Sequence, residues 1–134
     1  MKVTLAYKAD EEYTATTEAG QTVEIDMLSP DEKKHQSPMQ LLLSGIVACA
    51  AVDIVSMVKK RRKEFIDIKG SAEGERRDEH PRGFTKIHLH YEITSPDLTD
   101  EEAERIVDLA TTKYCSVASS ISAAQTHSFE IIRP

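Results

Sequence analysis

Positive charge is in short supply in this sequence: 17 Lys and Arg stand against 23 Asp and Glu, a net charge of -6 over 134 residues. Phosphate contacts need clustered basic side chains, so a nucleic-acid partner is not expected. The one basic cluster, Lys59-Lys60-Arg61-Arg62-Lys63, directly follows an apolar helical run. It reads as a solvated helix C-terminus, where cations offset the macrodipole. Cysteine is nearly absent. Cys49 and Cys115 are too far apart for a C-x-x-C pair, which excludes a thioredoxin-like motif. No charged segment followed by an apolar one opens the chain, so a secretion signal is not expected. The expected compartment is the cytoplasm, with both thiols reduced. Gly-rich phosphate loops, a G-x-S-x-G elbow, paired-carboxylate motifs, internal repeats and low-complexity stretches are all missing. The longest apolar run, 39–58, approaches transmembrane length but contains Gln40, Ser44, Asp53 and Ser56. An aspartate in mid-span is costly in lipid, so a buried helix in a soluble protein is expected, with no membrane partner.

What remains fits one domain, 1–134, with a modest core. Residues 2–7, 12–17 and 22–26 alternate β-branched or aromatic residues with polar ones and predict three strands, with a turn at Ala19-Gly20. A polar loop over 29–36 leads to a helix start: Ser37 as N-cap, Pro38 at N1 and Gln40 closing a capping box. That helix is expected to run to about Arg62. Because it is apolar on nearly all faces, it should be covered on every side. Strands follow at 66–77 and 85–94, the second with Ile87, Leu89, Tyr91 and Ile93 on one face, as in an antiparallel sheet with one buried side. Thr99-Asp100-Glu101-Glu102 is a second capping box, opening a helix to about Thr112. A third helix at 116–124 and a strand at 127–132 complete an α+β order.

Both cysteines sit in suggestive places. Along the first helix Gly45, Cys49, Asp53 and Ser56 form a narrow stripe of small or polar residues. Asp53, one turn from Cys49, would raise a thiol pKa, so a reactive Cys49 needs a cation or donor from elsewhere. Free cysteine is also a common packing residue, and the pattern alone leaves both roles open. Cys115 falls at a helix N-terminus, where amide donors favour a thiolate. His88-x-His90 supplies half a metal site at most, since no further ligand has a recognisable spacing; neither metal nor cofactor is expected.

Two longer motifs sharpen this. Ser37-Pro38-Met39-Gln40-Leu41-Leu42-Leu43 running on to Ala48-Cys49, and Lys113-Tyr114-Cys115-Ser116-Val117, resemble the two cysteine segments of the OsmC/Ohr superfamily. With Ser56-Met57-Val58-Lys59-Lys60, Glu75-Arg76-Arg77, Pro81-Arg82-Gly83-Phe84 and His127-Ser128-Phe129-Glu130, the chain is most similar to the YhfA-like branch. The resemblance implies an OsmC-like fold, an antiparallel sheet wrapped around a long central helix, in an intertwined homodimer with sites at the subunit interface. It further implies thiol-dependent reduction of organic hydroperoxides in oxidative-stress defence, with Cys49 peroxidatic, Cys115 resolving and an external dithiol as reductant.

The chain also departs from that pattern. The hydroperoxide-resistance enzymes of the superfamily carry a glutamate after the helix-opening proline, which orients an activating arginine from the N-terminal strands. Here Met39 and Gln40 follow Pro38, and no arginine precedes Arg61. Met39, Gln40, Asp53, Arg76 and Arg82 are the expected substrate-side residues, with Arg76, Arg77 or Arg82 as candidate cations from a partner chain. The alternative is a non-enzymatic redox sensor or small-ligand-binding protein that keeps the thiols and the pocket.

Overall fold

Alternation of apolar and polar residues sets the first three strands. In the computed structural model, which describes residues 1–134, β1 (Val3–Ala9), β2 (Glu12–Thr17) and β3 (Thr22–Asp26) pair antiparallel in that order. Gly20 turns the chain between β2 and β3 at φ 95°, a left-handed setting open to glycine without steric cost. The register sets Val3, Leu5 and Tyr7 beside Thr17, Ala15 and Tyr13, and the last two beside Val23 and Ile25. One face of this sheet is therefore apolar, yet Val3, Leu5, Tyr7 and Val23 on it are exposed. After β3 the loop is pinned by Asp26, which is fully enclosed. Its carboxylate accepts from Lys33 Nζ at 2.7 Å and from the backbone N–H groups of Lys34 at 2.9 Å and His35 at 2.7 Å. Burial alone would raise this carboxyl's pKa; the Lys33 ammonium and the amides of Lys34, His35 and Leu28 overrule it and hold the group well below the usual carboxylate range.

Helix α1 (Pro38–Lys60) opens with the expected box: Gln40 N–H donates to Ser37 Oγ at 3.2 Å and Ser37 N–H to Gln40 Oε1 at 2.9 Å. It stops at Lys60 because Arg62 takes a left-handed φ of 60° and Lys63 N–H turns back to the Val58 carbonyl at 3.3 Å. Residues 1–42 and 43–134 form two compact units, and α1 begins in the first and continues through the second.

In the second unit β4 (Asp67–Arg76), β5 (Phe84–Thr94) and β6 (Ala124–Ile132) form a sheet in that order. β4 and β5 are antiparallel, but β6 runs parallel to β5, so the expected antiparallel sheet is mixed at its last strand. The crossover that makes this parallel pairing feasible is α2 (Asp100–Leu109), a π-helical turn (Ala110–Tyr114) and α3 (Ser116–Ser119). α3 is far shorter than the expected 116–124: Ser119 and Ser120 hydroxyls both donate to the Ser116 carbonyl, and Ala124 is already paired with Lys86.

The core lies between this sheet and the helices. Ile87, Leu89, Tyr91 and Ile93 pack with Ile46, Ala50, Ile54 and Val58 of α1 and with Ala103, Ile106 and Val107 of α2. The α1 residues recur every fourth position and so bury a single stripe. Val52, on another side, is 69% exposed. Complete cover of α1, expected from its composition, is not achieved by one chain.

Candidate active site

The sequence brings two thiols together from positions far apart. Cys49 projects half-buried from the middle of α1, and Cys115 is buried as the N-cap of α3. The Cys49 side chain lies in hydrogen-bonding contact with Cys115. Cys115 Sγ accepts from the Ala118 N–H at 3.3 Å and lies 4.0 Å from the Ile46 carbonyl oxygen. Burial pushes the Cys115 thiol up, as does Cys49 beside it, against the lowering effect of the Ala118 and Val117 amides. Cys115 thus keeps its proton more firmly than a free thiol, against the thiolate expected from its helix N-terminus. Desolvation outweighs the amides of so short a helix.

A π-helical turn sets Cys115 in place. Thr111 Oγ1 donates to the Val107 carbonyl at 2.8 Å and Thr112 Oγ1 to that of Asp108 at 2.6 Å, so the last carbonyls of α2 are satisfied by side chains while the backbone widens. Such turns are rare and gather at functional sites. The signal for this turn in the sequence is the Thr111-Thr112 pair.

Tyr91 was also missed as a site residue. Fully buried, it donates its hydroxyl to the Val47 carbonyl at 2.8 Å. Its pKa is driven well above the ordinary range by burial and then by the sulfurs of Cys115 and Cys49. Gly70, across from Tyr91 on β4, makes room for it: a Cβ there would sit 2.9 Å from the ring and 3.1 Å from Val47. A tyrosine in the core-facing row of β5 needs a partner for its hydroxyl, and that need was legible.

The remaining candidates are dispersed. Asp53 is half-exposed rather than buried, so its carboxylate carries no full desolvation cost. Met39 is half-buried, and the side-chain oxygen of Gln40 is engaged in the α1 cap. Arg76 Nε donates to the Arg82 carbonyl at 2.8 Å and Arg82 Nε to the Arg77 carbonyl at 3.0 Å, so both brace the β4–β5 turn. From Gly70 to Arg76 along β4 is about 20 Å, and within one chain these arginines do not meet Cys49. The Arg77 guanidinium lies 3.9 Å from Glu79.

The family model of the OsmC-like proteins matches residues 30–130, which include both cysteines and all three helices. The chain belongs to the OsmC-like protein family. This OsmC-like chain is 43% identical over 101 residues to protein YhfA of Escherichia coli strain K12, covering 74% of the chain and 75% of YhfA. A hypothetical protein from Aquifex aeolicus VF5 has a similar solved structure, with TM-score 0.86 and 30% identity over 99% of this chain and 96% of that one. The OsmC-like protein of Mycoplasma pneumoniae follows at TM-score 0.81 and 20% identity, covering 98% and 95%. The organic hydroperoxide resistance protein OhrB of Bacillus subtilis superposes at TM-score 0.62 and 20% identity, covering 98% of each chain. The two structures at 20% identity share the fold. α1 is long and apolar enough to cross a membrane by length and composition; here its stripe of Ile46, Ala50, Ile54 and Val58 is core.

Proposed function

We propose that this protein reduces organic hydroperoxides with Cys49 as the attacking thiolate and Cys115 as the resolving thiol. The observation that carries the reading is the contact between a half-exposed Cys49 and a buried Cys115 that holds its proton. Cys49 attacks the O–O bond; an S–O bond forms, the O–O bond breaks, and the alkoxide leaves as alcohol after taking a proton. Cys115, losing its proton, then attacks the Cys49 sulfenic sulfur; an S–S bond forms and the hydroxyl leaves as water. A dithiol reductant exchanges with that disulfide, is itself oxidised to a disulfide, and restores both thiols. The fold shared with an organic hydroperoxide resistance protein supports the same reading.

The site works as part of one domain in a cytoplasmic homodimer. The uncovered apolar face of β1–β3 and the exposed Val52 on α1 are the surfaces that a second copy covers. A sheet of three strands needs such burial for stability. Arg76 or Arg82 of that copy is the candidate cation, and Met39, Gln40 and Asp53 lie on the substrate side.

The test is consumption of cumene hydroperoxide with dithiothreitol as reductant. Turnover is expected in the wild type, loss of all peroxide reactivity in Cys49→Ser, and, with the reductant left out, one equivalent consumed without an intramolecular disulfide in Cys115→Ser. A wild type as slow as Cys49→Ser overturns the reading. A second reading, a redox sensor, is favoured by the engagement of both Arg76 and Arg82 in the turn. It predicts one equivalent consumed by the wild type and no sustained turnover.

A further inference from the structure

Away from the thiols, β5 and β6 assemble a second cluster on the outer face of their sheet. Parallel pairing sets His90 beside Ser128 and Glu92 beside Glu130. One ligand atom each from His90, Glu92 and Glu130 lies within 4.8 Å of the other two. Two like charges placed side by side on paired strands repel one another, and rigid strands do not let them separate. None of the ion pairs of the chain involves Glu92 or Glu130. Lys69 stands across from Glu92 on β4 and, with His90 and Glu92, borders a recess of about 150 Å³.

His90 is held as a ligand would be. Its Nδ1 is 2.7 Å from Ser128 Oγ, which leaves Nε2 available. Ser128 Oγ is in turn 2.9 Å from His88 Nε2, and His88 Nδ1 is 2.6 Å from Thr126 Oγ1. The chain can be satisfied in two directions; in one of them His90 Nδ1–H donates to Ser128, Ser128 O–H donates to His88 Nε2, and His88 Nδ1–H donates to Thr126. That direction leaves Nε2 of His90 bare, the tautomer that a metal requires, and a bound ion would select it.

We infer that His90, Glu92 and Glu130 form a binding site for a divalent first-row metal ion, zinc in the first instance, with Ser128 fixing the histidine. One imidazole and two carboxylates suit that class of ion, and three protein ligands leave a coordination position for water or a small anion. The site was illegible as spacing because Glu130 joins His90-x-Glu92 only through the parallel pairing of the final strand.

The test titrates reduced wild-type protein with Zn²⁺ by calorimetry and with Co²⁺ by absorption, because cobalt reports its ligands. One ion per chain is expected, without the intense sulfur-to-cobalt charge-transfer band that cysteine ligation would give. Affinity should fall by at least about tenfold in Glu130→Gln and in His90→Gln, and by about tenfold in Ser128→Ala, the usual effect of losing the group that orients a ligand. Glu130 is exposed, so its substitution leaves the fold intact. Absence of binding in the wild type, an unchanged affinity in Glu130→Gln, or a sulfur-to-cobalt band would each overturn the assignment.

Discussion

Single residues decide how the two thiols differ. Cys115 is enclosed and Cys49 is not, so one keeps its proton while the other meets solvent. Gly70 belongs to the same apparatus, since any Cβ there would push Tyr91 away from Val47. Gly70→Ala should cost about 1–3 kcal/mol by overpacking and should slow the reaction of Cys49 with peroxide. A denaturant midpoint equal to that of the wild type would contradict this. Asp26 provides the pH-dependent counterpart. Its folded pKa lies below the unfolded value, so its stabilisation is complete above about pH 4 and is lost as pH falls toward the folded value. Acid unfolding of Asp26→Asn should accordingly show a shallower dependence on pH below 4 than the wild type, and parallel profiles would count against the role given to this carboxylate.

At the level of elements, the sequence spoke clearly where chemistry was local. The Ser37–Gln40 and Thr99–Glu102 boxes and the alternation of β5 all stand where side-chain preferences place them. Elements shaped by distant partners were not legible: α3 yields its tail to β6, and the π-helical turn depends on threonines bonding to carbonyls behind them. The apolar composition of α1 states a demand for burial without saying which chain meets it. The first sheet makes the same demand through Val3, Leu5 and Tyr7, the last packed edge-on against Tyr13 at 5.9 Å between ring centroids. Leu5→Lys should therefore convert a dimer of 15.0 kDa chains into monomer, read by light scattering. A monomeric wild type, or a variant still dimeric, would remove this face from the interface.

For the whole molecule, the two cysteine segments carried the family because motif order survives where individual contacts cannot be foreseen. That Cys49 and Cys115 meet was not in their spacing; it follows from a crossover that returns the chain to α1 after β5. The metal triad has the same origin in the parallel closure by β6. Both sites thus depend on the segment between residues 95 and 123, whose path no local pattern dictates. The central claim is that these two sulfurs exchange a bond during turnover. One equivalent of cumene hydroperoxide added to the reduced protein, followed by rapid acid quench and peptide mass spectrometry, tests it directly. An intramolecular Cys49–Cys115 disulfide in most chains, absent from Cys49→Ser, is the predicted result. Two free thiols, or a sulfenic acid at Cys49 that persists without joining Cys115, would contradict it.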